Sequence, residues 1–316
     1  MDNFIFSLNA TMPIFLLMIL GKIFKVIGIT NDNFAQVSDK FVFNVCLPVM
    51  VFLDIANTNI KEDFDLSFIL FCILATTISF VVIWILAEVL SKDKDIVGAF
   101  VQASYRSSAA ILGVAFVQNM YGSSGMAPMM IVAAVPFFNI FAVIVLTFKA
   151  KDAQNLDKKE AIKKAFINIL KNPIIIGIFL GVIASYFQIR FPVIIEKTLN
   201  NLGVLSTPLA ILSLGATFQG RDAIAKVKPT IISSIIKLIV LPAIFLPIAI
   251  YMGFRKEMLI AILIMLGAPT TISCYIMAKN MNNDYILTSS IVVVTTLFSS
   301  VTLTLWIFIL KSMALI

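Results

Sequence analysis

Apolar residues run for twenty or more positions at a time along this chain, and short clusters of charge or of Gly and Asn interrupt them. The interruptions leave ten apolar stretches, at about 4–29, 34–57, 66–90, 96–120, 127–149, 165–189, 193–218, 229–253, 257–280 and 285–311. Each can cross a hydrocarbon core of roughly 30 Å as a helix of about 20 residues. The pattern therefore predicts an all-α integral membrane protein with ten transmembrane helices. The first stretch has no Lys or Arg before Lys22. It lacks the basic leader of a cleaved secretory signal and is expected to stay as a span.

Composition strengthens this reading. Of 316 residues, 60% are hydrophobic and 13% charged, with a mean hydropathy of +1.02; a soluble chain carries about 25% charge. A soluble globule is excluded. There is no His, which removes the commonest general base and metal ligand. Cys46, Cys72 and Cys274 lie apart inside apolar stretches, as small hydrophobes rather than a metal cluster or disulfides. Gly215 to Arg221 lacks the Lys and Ser/Thr of a phosphate-binding loop, so no ATP motor is encoded. The expectation is no enzyme, no cofactor and no metal site.

The net charge of +7 does not point to nucleic acid, because the Lys and Arg gather between the apolar stretches. Threading the spans puts fifteen of the 24 on one side, six on the other and three (Lys40, Arg106, Lys237) within spans. Positive charge stays cytoplasmic. The chain is thus expected in the cell (plasma) membrane as a multi-pass protein with both termini extracytoplasmic. Residues 151–164 then form a cytoplasmic linker between a first five-helix repeat, 1–150, and a second, 165–316.

The two halves share Pro and Gly positions at one offset. Pro13, Gly21 and Pro48 correspond to Pro173, Gly181 and Pro208, each 160 residues on. An odd number of spans per half makes the repeats inverted, an architecture recurrent in secondary transporters with a midplane substrate site between discontinuous helices. Pro269 removes a donor and disfavours helix at Ala268, so span nine should break there. At offset 160, Ala268 and Pro269 align with Ser108 and Ala109 in span four, where Ser107 or Ser108 is placed to cap a second half-helix. Broken, crossed helices four and nine would bring two half-helix N-termini together, and these favour an anion.

Arg106 lies about 11 residues, or roughly 16 Å, from the inner edge, too deep for easy snorkelling. It either meets the carboxylate of a substrate or supports the structure through helix-end carbonyls or a water-filled crevice, and sequence leaves both open. Asn44 and Asn139 sit at mid-span depth, as cavity-lining or helix-tying residues. Lys40 and Lys237 read as snorkelling residues. The Ser/Thr run from Thr295 to Thr304 reads as close packing.

The stretches Phe43–Pro48, Asn172–Gly181, Pro208–Ala216 and Ala268–Tyr275 with Ala278 and Lys279 resemble the auxin efflux carrier family, in its bacterial branch. The resemblance implies a scaffold and a transport subdomain, crossed broken helices at spans four and nine, elevator-type alternating access and a homodimer. It also implies organic anion substrates such as malonate, malate or auxin-like acids. The family's first crossover usually reads Asn, Gly five residues later and Pro two beyond; here those positions hold Ser108, Gly113 and Ala115.

The functional expectation is a secondary transporter of small organic anions. Arg106, Ser107, Ser108, Asn44, Asn139, Pro269, Thr270, Thr271 and Ser273 are the substrate-binding candidates, and Ser108, Ala109, Ala268 and Pro269 mark the helix breaks. The alternatives are a sodium-coupled symporter and, from another class, a non-transporting membrane sensor or scaffold. Expected partners are the anion, the lipid bilayer and a second copy of the chain.

Overall fold

The computed structural model describes residues 2–57, 65–122, 125–150, 163, 166–218, 224 and 226–316. The expected linker at 151–164 lies, apart from Lys163, outside the described residues. Those described form helices and no strands. In chain order they are α1 (Asp2–Val26), α2 (Asp32–Phe41 and Leu47–Ala56, joined by the π-helical turn Val42–Cys46) and α3 (Leu66–Leu90). Next come α4 (Val97–Tyr105), α5 (Ala109–Tyr121), α6 (Ala127–Phe148) and α7 (Pro173–Tyr186). The remainder are α8 (Val193–Thr217), α9 (Val227–Tyr251), α10 (Glu257–Gly267), α11 (Ser273–Asn280) and α12 (Tyr285–Ser312). Five of these, α3, α6, α8, α9 and α12, are single helices long and apolar enough to cross a membrane.

Local chemistry fixes many of the ends. Asp65 and Asp284 accept first-turn N–H groups of α3 and α12, and Asn172 caps α7 just before Pro173. The two π-helical turns have one cause. Val42–Cys46 and Ile236–Val240 each end two residues before a proline, Pro48 or Pro242. Proline cannot donate to the carbonyl four residues back. For Pro242 that carbonyl belongs to Leu238, and it accepts the Trp306 Nε1–H at 3.0 Å instead.

The exposed faces are apolar. On α3, Leu70, Leu74, Ile78, Val82 and Ile85 form an exposed stripe, the surface a helix presents to lipid rather than to water. Inside, α10 is buried at every position from Leu259 to Gly267, and α4 at every position but Phe100. From Met258 on α10 is apolar all round, and such a helix belongs in a core. The three cysteines are free and buried, as small hydrophobes.

Two glycines let helices approach to backbone contact. A Cβ on Gly21 of α1 would collide with the Leu212 carbonyl oxygen of α8. A Cβ on Gly181 of α7 would lie 3.0 Å from the Phe52 carbonyl oxygen of α2. Gly21 and Gly181 are 160 residues apart, and so are Phe52 and Leu212.

Candidate functional site

Apolar stretches four and nine are each interrupted near the middle. α4 stops at Tyr105, Arg106 is extended (φ −73°, ψ 142°), and α5 starts at Ala109. α10 stops at Gly267, Ala268 is extended (φ −71°, ψ 160°), and α11 starts at Ser273. Ala268 and Pro269 lie in the second interruption and Ser108 in the first, which begins at Arg106, two residues before Ser108, so Arg106 is itself part of it. With no proline in this stretch, the interruption is held by the partner strand of chain. The Ser108 N–H donates to the Pro269 carbonyl at 2.9 Å, and the Thr270 hydroxyl donates to the Ala103 carbonyl at 2.7 Å. Thr270 N–H in turn donates to Thr295 Oγ1 at 3.1 Å, which gives one member of the span-ten Ser/Thr run a role at the crossing.

Ser108 occupies the N-cap position of α5, yet its side chain makes no cap bond. Ser107 does not cap it either: its hydroxyl lies 2.9 Å from the Ile264 carbonyl and 3.3 Å from that of Ala268, both on the other broken span. The expected capping serine is a correction on geometry. Crossing the helices brings the Ile264 and Ala268 carbonyls to Ser107, and its hydroxyl donates to these instead of to the helix end.

Arg106 is buried, and its partners are neutral. Nη2 donates to Asn139 Oδ1 and to Ser273 Oγ, both at 2.9 Å; Nη1 meets Met277 Sδ at 2.9 Å and Gln102 Oε1 at 3.4 Å. Its Nε is buried and meets no acceptor among the described residues. No ion pair of the described residues includes Arg106. A guanidinium held this way has an unused donor.

One small cavity lies against it, of about 40 Å³, roughly two or three waters. One wall is the crossing: Arg106, Ser107, Ser108, Ala109, Ala110, Thr271, Ile272 and Ser273, with Val135, Phe138 and Asn139 of α6. The other is Leu47, Met50, Val51 and Asp54 of α2 with Ser206 and Thr207 of α8. The N-terminal ends of α5 and α11 both open onto it, where the helix dipoles are positive.

Six sequence candidates, Arg106, Ser107, Ser108, Asn139, Thr271 and Ser273, therefore meet at one cavity. Pro269 and Thr270 build the crossing behind it. Asn44 does not join them: it lies exposed in the π-helical turn, with its amide donating to the Lys40 carbonyl at 2.8 Å. Gln102 and Met277 escaped the sequence reading, and Asp54, set by it near the outer face and away from Arg106, lines the same cavity. Gln102 and Met277 are one helical turn from Arg106 and Ser273 respectively, a spacing that could have flagged them.

Lys40 is exposed, as a snorkelling residue should be, whereas Lys237 is fully buried and does not snorkel. Its ammonium finds backbone carbonyls inside the protein, so reaching toward the membrane surface brings it nothing. Elsewhere, Lys279 of α11 pairs with buried Asp39 of α2 at 2.5 Å, joined by the Tyr275 hydroxyl at 3.3 Å from the same oxygen.

Comparison with known proteins adds to this geometry. A family model described as membrane transport protein matches residues 6–307. An uncharacterized transporter of Methanothermobacter thermautotrophicus is 24% identical over 307 residues, covering 96% of this chain and 98% of that protein. An uncharacterized transporter of Methanocaldococcus jannaschii is 23% identical over 308 residues, covering 95% and 97%.

Proposed function

The chain belongs to the membrane transport protein family, of auxin efflux carrier type, and within it we propose a secondary carrier of small organic anions. It is a multi-pass membrane transporter and not an enzyme. The observation that carries the anion reading is Arg106: buried, bonded only to neutral groups, with a spare Nε–H, beside a cavity that two half-helix N-termini also face. A carboxylate entering there gains a charged fork and two positive helix ends, and relieves the cost of a buried unpaired cation.

The finer architecture belongs to the same proposal. Ten spans as two inverted repeats, 1–150 and 165–316, fit the reciprocal contacts of Gly21 with Leu212 and Gly181 with Phe52, because a pseudo-twofold axis exchanges the two pairs. Transport follows an elevator. The packing of α2 against α7 and α8, and of α1 against α8, supports a scaffold; that of α3 with α4 and α6, and of α10 with α5, α6 and α9, supports a moving unit carrying the crossing. The cavity lies where these groups meet, so a shift of one against the other widens it on one side and closes it on the other. The protein works as a homodimer in the cell membrane, with both termini outside.

The test is flux. Purified protein in liposomes is loaded with malonate, malate or indole acetate and assayed for exchange against the same labelled acid, with the matched amides as neutral controls. Exchange of at least one acid, none of the amides, and loss of exchange in Arg106→Gln are expected. Exchange of amides and acids alike, or full acid exchange by Arg106→Gln, overturns the anion site.

A further inference from the structure

The positive ends of the half-helices face the cavity, and the negative ends of α4 and α10 are met from within the chain. Lys237 lies in the π-helical turn of α9 and is fully buried. Its Nζ donates to the Leu266 carbonyl at 2.6 Å and lies 3.4 Å from the carbonyls of Tyr105 and Met265. Tyr105 is the last residue of α4, and Met265 and Leu266 belong to the last turn of α10. One ammonium thus gathers carbonyls from the C-terminal ends of the first half-helices of both broken spans.

Among the described residues Lys237 makes no ion pair. A buried cation needs compensation, usually a carboxylate. Here it comes from backbone: each helix end carries roughly half a negative charge, so two together balance about one positive charge. The aim of the side chain follows from the sequence. Pro242 forces the wide turn, and that turn swings Lys237 inward to the crossing instead of along the helix face.

In carriers built on broken helices, unwound carbonyls and half-helix C-terminal ends are where a coupling sodium is coordinated. We infer that Lys237 is a tethered cation filling that position, so that this protein moves its anion without sodium. The inference rests on the carrier reading for its meaning, and its test uses no organic anion. Loss of one is therefore distinguishable from loss of the other.

The experiment is thermal unfolding of the purified full chain in sodium, potassium, methylammonium or choline chloride at equal ionic strength. The wild-type midpoint is expected to be the same in all four within about 1 °C, because no vacant cation site awaits a ligand. Lys237→Ala is expected to fall by roughly 5 °C or more, and to recover part of that loss in sodium, potassium or methylammonium but not in the bulky choline. Lys237→Met fills the space without charge and stays low in every salt. A sodium-selective rise of the wild-type midpoint overturns the inference, as does a Lys237→Ala variant that is as stable as wild type or is low with no recovery in small cations. If Lys237→Ala does not fold, the wild-type comparison decides alone.

Discussion

The backbone N–H of Ser108 donates to the carbonyl of Pro269 at 2.9 Å, so the interruption of one broken span is closed by the interruption of the other. Residues at this junction divide into those that hold the crossing and those that face the cavity, and substitutions should separate the two. Thr270→Val removes the bond to the Ala103 carbonyl and is expected to cost about 1–3 kcal/mol in unfolding free energy with anion affinity little changed. Ser273→Ala removes an Arg106 partner at the cavity and should do the reverse. Thermal midpoints and anion titrations on both variants check the split.

Arg106 uses one nitrogen to bridge Asn139 and Ser273 and another to reach Met277 and Gln102. Arg106→Lys keeps the charge and loses the planar fork. It is expected to raise the KM for a carboxylate about tenfold to a hundredfold, which is roughly 1.4–2.8 kcal/mol of lost binding. Arg106→Gln should lose transport yet unfold no more than a few degrees below wild type, since removing a buried cation without a carboxylate also removes its desolvation cost. Initial rates in liposomes and unfolding midpoints are the readouts.

Gly21 and Gly181 make corresponding approaches to carbonyls of the facing helices, but Gly21 is the tighter. Gly21→Ala should destabilise by about 1–3 kcal/mol through overpacking, and Gly181→Ala by less. Equal effects, or a larger one at Gly181, would contradict the packing described. Chemical or thermal unfolding of the two variants measures the order.

Asp39 and Lys279 form a largely buried pair at 2.5 Å that ties α2 to α11. Removing one partner leaves a buried charge, so Lys279→Met should cost about 3 kcal/mol. The double variant Asp39→Asn with Lys279→Met should recover most of that loss. A double-mutant cycle of unfolding free energies reads the coupling directly.

The sequence carried the apolar helices and the second interruption because hydrophobic length and a proline within an apolar stretch act locally: Pro269 removes a donor wherever it is placed. The first break was legible through the 160-residue offset and the Ser107–Ser108 pair, and it was placed two residues late because the carbonyl that holds it comes from Pro269. Direction around a helix was not readable. Asn44 and Asn139 both sit mid-span, yet one lies outside on a π-helical turn and the other bonds Arg106. Lys237 shows the same limit. Its place in α9 resembled that of a snorkelling lysine, but a π-helical turn aimed it at carbonyls far off in sequence.

The central claim is that the crossing is an anion site centred on Arg106. The most direct measurement is the thermal midpoint of purified wild-type protein and Arg106→Ala, each titrated with malonate, malate and indole acetate and with their amides. A ligand that binds the folded state raises the midpoint by mass action. The account predicts a rise of the wild-type midpoint with at least one acid, none with its amide, and no acid-dependent rise in a folded Arg106→Ala protein. An equal rise with acid and amide, or an acid-dependent rise that survives in Arg106→Ala, would contradict it.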